Sequence, residues 1–181
     1  MTMTPVVRKI VLTAHIVTSV GWLGAVVGFL GLNVVGLAGK DLPTARAAYL
    51  AMEAMTLNVL VPLSLASVLI GLVNSMGTPW GLFRHYWVVV KLLITVFATI
   101  ILLTYTETMS AIAGLAAETT MSAAELRKLG TGPLLHASGG LVVLLVATTL
   151  SVFKPRGLTP YGWRRQQEHR RASKRSGQEA P

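Results

Sequence analysis

The chain has 181 residues, of which 52% are hydrophobic and 13% are charged, and its mean hydropathy is +0.61. A soluble domain of this length carries about 25% charged residues, so the composition indicates a single-domain membrane protein. The absence of cysteine excludes disulfides, thiolate metal sites and cysteine nucleophiles. The net charge of +9 is concentrated after the last apolar segment, and no folded basic module surrounds it, which argues against nucleic-acid binding.

Four apolar stretches reach the length of about 20 residues that is needed to cross a bilayer. The predicted fold class is therefore all-α, an integral membrane four-helix bundle over residues 1–153, followed by a basic cytoplasmic tail over 154–181. Pro62 is expected to kink the second helix. Ser122 and Glu125 have capping-box spacing, which predicts a short outer surface helix. The spans are predicted at about residues 10–37, 52–73, 87–106 and 134–153.

The distribution of basic residues predicts that both termini are cytoplasmic. In that orientation the inner segments hold eleven Lys and Arg residues and the outer segments hold four. The inner set is Arg8, Lys9, Arg84, Lys154, Arg156, Arg164, Arg165, Arg170, Arg171, Lys174 and Arg175, and the outer set is Lys40, Arg46, Arg127 and Lys128. The eight basic tail residues are expected to bind anionic lipid headgroups, at about 1 kcal/mol per side chain.

Two ionisable side chains lie within the predicted spans close to the inner surface, where such residues are costly and are candidates for function. His15 lies ~8 Å into the first helix and Lys91 about one turn into the third, so the two could converge. Ser19 and Trp22 share a helical stripe with His15, and Thr95 shares one with Lys91. These five residues form the predicted cofactor-binding pocket. There the imidazole could bind haem iron or a metal, and the ammonium a carboxylate or phosphate. The structural alternative is that Lys91 extends to the headgroups and His15 bonds a neighbouring helix.

A second polar group is predicted near the outer surface. Glu53, Glu107 and His136 are weak candidates for a divalent-metal site or a proton relay, and all three are close enough to water to be ordinary boundary residues. His136 is expected about 15–25 Å from His15 along the membrane normal, so the two histidines cannot ligate one iron.

Small residues form one face of the first helix, at Gly21, Gly24, Gly28 and Gly31. Such a face allows the backbones of two helices to approach closely. The partner is predicted to be another helix of the bundle or a second copy in a homo-oligomer.

Two segments carry a resemblance to known families. His15-Ile-Val-Thr-Ser-Val-Gly-Trp22-Leu-Gly-Ala25 resembles the opening helix of small bacterial four-helix membrane proteins. These include the HemJ-type protoporphyrinogen oxidases and the membrane domain of CopD-type copper-resistance proteins. Trp87-Val-Val-Val-Lys91-Leu-Leu is similar to the segment that opens the third helix in the HemJ group. The HemJ resemblance implies haem b in the bundle, with His15 as an axial ligand and Lys91 in or near the active site.

The chain also departs from both families. Its third helix contains no second histidine, and no cluster of Met and His of the CopD kind is present. Three classes of function are left open: a membrane protein of unassigned role that binds haem or another ligand at His15 and Lys91, a HemJ-type oxidase, and a transporter or metal-handling component. Nucleophilic catalysis has no support, since no Ser-His-acid set shares a depth in the bilayer.

Overall fold

A computed structural model describes residues 3–39, 41–78, 81–118 and 121–178. The predicted all-α class is confirmed, because four helical spans in these ranges are long and apolar enough to cross a membrane. The first span is α1 (Pro5–Ala38), and the second comprises α2 (Leu42–Met55), a π-helical segment (Thr56–Leu60) and α3 (Val61–Met76). The third is α4 (Tyr86–Ala117), the fourth comprises α5 (Ala123–Leu129) and α6 (Thr131–Phe153), and α7 (Pro160–Gln178) follows.

The four spans pack as a square. Helix α1 contacts α2, α3 and α6, and α4 contacts the same two neighbouring spans, so α1 and α4 lie on one diagonal. With four spans, the start of α1, the end of α6 and the described residues between α3 and α4 lie on one side of the bundle. We call this side the terminal face and the opposite side the distal face. Any residue of α1 that meets a residue of α4 must do so across the axis of the bundle.

The helices are longer than the membrane requires, and the surplus lies at the distal face. Helix α4 has 32 residues, ~48 Å at 1.5 Å per residue, whereas the hydrocarbon core is about 30 Å thick. The sequence predicts an end near Thr106, but α4 continues to Ala117. The second span likewise begins at Leu42 rather than near Met52. Lys40, which was counted with the outer basic residues, lies outside the described ranges, as do residues 179–181 of the tail.

The surplus turns form a distal cap, made of residues 32–38, α2, residues 107–117 and α5. This cap holds most of the fully buried side chains, whereas the apolar windows of the spans are only 11–33% buried within the protein. The difference follows from the solvent: apolar side chains within the membrane gain little by leaving lipid, whereas those beyond it must be removed from water. The fully buried members are Asn33, Tyr49, Met52, Met109, Ala113, Ala116 and Leu126, each at most 1% exposed.

The predicted capping box is confirmed, and the second span is irregular at the place where Pro62 is expected to kink it. The side chain of Ser122 accepts a hydrogen bond from the backbone N–H of Glu125, and the carboxylate of Glu125 accepts one from the backbone N–H of Ser122, forming the capping box of α5. The second span is irregular just before Pro62, where the Val61 N–H donates to the carbonyl of Thr56, five residues back. Proline lacks an N–H and its ring crowds the preceding turn, which accounts for the widened π-helical segment.

The start of α7 is fastened to the connection before α4. The hydroxyl of Thr159 donates to the Phe83 carbonyl at 2.5 Å, and the Thr159 N–H donates to the Arg84 carbonyl at 3.1 Å. Gly162 lies against the backbone of Arg84, where a Cβ would overlap the carbonyl. The basic tail is therefore helical and is held at the terminal face.

Replacing Gly130 by alanine is predicted to destabilise the protein. A Cβ at Gly130 would lie 2.5 Å from the Tyr49 hydroxyl and 2.8 Å from a Leu37 methyl. Overpacking of this kind costs about 1–3 kcal/mol, so the midpoint of thermal unfolding in detergent should fall. The control is Gly114→Ala, because a Cβ there meets nothing within 4 Å. An equal effect of the two substitutions would contradict this account of the distal cap.

Candidate functional site

His15 and Lys91 meet on the axis of the bundle. Nε2 of His15 lies 3.4 Å from Nζ of Lys91, although the two residues belong to helices on opposite corners of the square. Lys91 lies ~8 Å along α4 from Tyr86, and its long side chain reaches across the diagonal. The convergence of these two residues, which the sequence predicts, is therefore present, and we call it the axial pair.

The second span supplies the wall around His15, a contribution that is absent from the pocket predicted from the sequence. Ser67 shares a hydrogen bond of 2.8 Å with Ser19, one turn beyond His15 on α1. Gly71 leaves room for the imidazole, since a Cβ there would lie 2.9 Å from Cε1 of His15. Ser64, Ser67 and Gly71 follow the i, i+3, i+7 spacing of one helical face, and Ser64 and Ser67 are buried. This stripe of small residues is the sequence pattern from which the wall around His15 could have been predicted.

Two of the five predicted pocket residues have a different role. The Thr95 hydroxyl donates to the Lys91 carbonyl of its own helix at 2.9 Å. Trp22 is 3% exposed and lines a separate cavity nearer the distal face. The observed site is therefore His15 and Lys91 with Ser19, Ser67 and Gly71 around them.

The polar groups of the axial pair are incompletely satisfied. Within the described ranges no carboxylate lies within ion-pair distance of Lys91, and the one ion pair found there joins Arg165 and Glu168 on α7. Nδ1 of His15 is buried and forms no hydrogen bond of ordinary geometry, although the Ser67 carbonyl is near the ring. An ammonium without a counter-ion inside hydrocarbon is costly, so the site has an unmet requirement for negative charge.

A cavity of about 480 Å³ occupies the distal half of the bundle. Its walls continue the stripes that begin at the axial pair, with Trp22 on α1 and Ala98 on α4 each seven residues, ~10 Å, further along. His15 and Lys91 do not line it. The axis is thus polar and closed near the terminal face and apolar and hollow beyond it.

The weak metal candidates near the distal face are not brought together. Glu53 is partly buried on α2, Glu107 is exposed on α4, and the described residues contain no group of three His, Asp or Glu side chains that could hold a metal ion. His136 instead stacks on Tyr105, with ring centroids 4.0 Å apart and an interplanar angle of 21°. The arrangement contains an aromatic pair where the sequence suggests a metal site.

Half of the glycine face of α1 packs against the second span, and the other half is exposed. Gly21 and Gly28 pack against Leu63 and Met55 of the second span, which accounts for close packing within the bundle. Gly24 and Gly31 are exposed, and an added Cβ at either would meet nothing within 4 Å. Homo-oligomerisation through these two positions stays a prediction.

Replacing Lys91 by methionine is predicted to stabilise the ligand-free protein. Methionine keeps most of the side-chain length and removes an ammonium that has no acidic partner in the described ranges. The cost of holding an unpaired charge inside the bundle is then relieved, so the unfolding midpoint should rise. The measurement is the midpoint of unfolding in mild detergent after removal of lipid. Lys128→Met on the exposed face of α5 is the control and should change little. A marked loss of stability in Lys91→Met would mean that Lys91 has a counter-ion within the protein.

Comparison with known proteins yields no family. No protein-family model, no curated protein and no solved structure matches the chain. The fold class therefore rests on the four helical spans, and the site stays a candidate that rests on the geometry of its residues. The relationship to the HemJ and CopD groups stays a prediction.

Proposed function

We propose that this protein binds the anionic group of an amphiphilic ligand at the axial pair, in the cytoplasmic leaflet of a bacterial plasma membrane. The observation that supports this proposal is the 3.4 Å approach of His15 Nε2 and Lys91 Nζ without a carboxylate near them in the described ranges. A phosphate or carboxylate would supply the missing charge. Charge-assisted hydrogen bonds to such an oxygen are about twice as strong as neutral ones.

The ammonium of Lys91 and the imidazole of His15 offer a ligand different hydrogen-bonding groups. The ammonium has three donors, and a neutral imidazole can accept one of them through Nε2 and donate through Nδ1. The remaining Lys91 donors are then available to ligand oxygens, while the apolar chain of the ligand stays in lipid. The hydroxyls of Ser19 and Ser67 add hydrogen-bonding capacity one turn deeper. This combination suits a small anionic headgroup better than a free metal ion.

The residues do not fit a haem ligated by His15 in this arrangement. Nε2 faces the Lys91 ammonium, Nδ1 is enclosed near Ser67, and the 480 Å³ cavity begins about two turns away. The HemJ-type oxidase therefore ranks below ligand binding, and the CopD-like metal-handling role lacks a cluster of ligands among the described residues. Both would require a rearranged site.

The orientation forms part of the proposal. The eleven basic residues assigned to the terminal face favour its placement in the cytoplasm, following the positive-inside rule. Helix α7, fastened beside Arg84, carries exposed Arg164 and Arg165 next to exposed Tyr161 and Trp163. Aromatic and basic side chains together are typical of a segment lying at anionic headgroups.

Addition of decyl phosphate is predicted to stabilise the detergent-purified protein. A ligand at 100 times its Kd adds about 2.7 kcal/mol to the free energy of unfolding, so the unfolding midpoint should rise by several degrees. Decyltrimethylammonium should give no rise, and inorganic phosphate a smaller one because it lacks the chain. In Lys91→Met the rise should disappear, whereas Arg8→Gln, which removes an exposed cation at the same face, should retain it.

The same preparation tests the haem alternative. Protein expressed with a haem precursor is expected to show no Soret absorption that depends on His15. A Soret band that His15→Ala abolishes would establish haem binding at this position and overturn the anion proposal. Equal stabilisation of the wild type and Lys91→Met by decyl phosphate would place the ligand elsewhere.

A reporter fused after Pro181 tests the orientation. Alkaline phosphatase folds only outside the cytoplasm, so its fusion is expected to be inactive, and a cytoplasmic fluorescent protein at the same position is expected to be bright. The matched fusion after Glu118, which follows the third span, should give the opposite pattern. An active phosphatase after Pro181 would invert the proposed topology and move the axial pair to the outer leaflet.

A further inference from the structure

The cavity in the distal half of the bundle is a candidate site of its own, separate from the axial pair. It measures about 480 Å³, within the range of sites that bind small organic molecules, and most of its lining is apolar. It lies between α1, α4 and α6, beside the widened turn at Thr56 and Leu60. Gly139 and Gly140 line it on α6 and leave open space, because an added Cβ at either position would meet nothing within 4 Å.

The cavity opens sideways, toward lipid. Three large apolar residues in its lining are well exposed, Phe97 at 63%, Ile101 at 37% and Leu135 at 74%. They lie on α4 and α6, so the opening is between these two helices. A molecule dissolved in the bilayer could enter there without crossing water.

One end of the cavity is polar and has a defined hydrogen-bonding pattern. Nδ1 of His136 lies 3.0 Å from the carbonyl oxygen of Gly132, which can only accept, so Nδ1 carries the hydrogen. In the neutral imidazole Nε2 is then an acceptor. Stacking on Tyr105 fixes the ring, and the Tyr105 hydroxyl adds a group that can donate or accept. This end is complementary to a hydroxyl group on a ring.

We propose that this cavity binds a membrane-dissolved phenol or quinol with an apolar chain, its hydroxyl donating to His136 Nε2 and its chain leaving between α4 and α6. The ring would lie against the apolar walls formed by Trp22, Phe29 and Leu144. The lateral opening accommodates the chain, and the polar end selects a hydroxyl over an ether. The proposal is independent of the anion site at Lys91.

The test uses the full chain in nanodiscs and two matched probes, 2-bromo-4-decylphenol and its methyl ether. Bromine quenches tryptophan fluorescence at short range, and Trp22 lines the cavity, so the background carries Trp80→Phe, Trp87→Phe and Trp163→Phe. Saturable quenching of Trp22 by the phenol is expected. The ether, which cannot donate, should bind about three- to ten-fold more weakly.

Two kinds of variant test the cavity and its polar end separately. Gly140→Leu fills open space and should weaken both probes at least ten-fold, with Gly139→Leu as a second filling variant and Gly114→Leu, outside the cavity, as the control. His136→Phe keeps a ring on Tyr105 and should remove the preference for phenol while both probes still bind. Non-saturable quenching, or unchanged binding in both filling variants, would overturn the site. Equal affinity of phenol and ether in the parent would overturn the role of His136.

Discussion

Lipid solvates neither a peptide group nor an ammonium ion, and this constraint determines where the bundle can place its rare polar residues. Helices satisfy the peptide groups within each span. A helix does not satisfy the ammonium of Lys91 in this way. The Lys91 side chain instead reaches across the diagonal of the square to Nε2 of His15. The small residues Ser67 and Gly71 of the second span make that meeting sterically possible. A larger residue at Gly71 would occupy the position of the imidazole.

The same constraint divides the molecule along its length. Within the membrane the spans leave much of their apolar surface to lipid, and the interior contains a polar pair, a short hydroxyl contact and a laterally open cavity. Beyond the membrane, in the distal cap, burial is nearly complete around Tyr49, Met52 and Met109. The close packing of the cap is therefore explained by the hydrophobic effect. The membrane half keeps the open space and unmet polar groups that a binding site requires.

The sequence predicts the features that depend on composition and helical period, and misses those that depend on neighbours. The four spans, the capping box of α5 and the disturbance before Pro62 follow from local rules. The convergence of His15 and Lys91 follows from depth and is present. The extension of α4 to Ala117 is missed because the third span is delimited by its apolar run, although Met109, Ile112, Ala113 and Ala116 keep a helical spacing beyond it and are buried. The position of Trp22 in the distal cavity and the stacking of His136 on Tyr105 depend on how α6 packs, which no local pattern specifies.

The central claim is that His15 and Lys91 touch on the bundle axis inside the membrane. Magic-angle-spinning NMR on protein reconstituted in lipid, with ¹⁵N-labelled lysine and ¹³C-labelled histidine, measures this contact directly. The account predicts a dipolar coupling between a lysine Nζ and an imidazole ring carbon that disappears in both Lys91→Met and His15→Phe. Absence of any such coupling in the wild type, or its persistence in these two variants, would contradict the account.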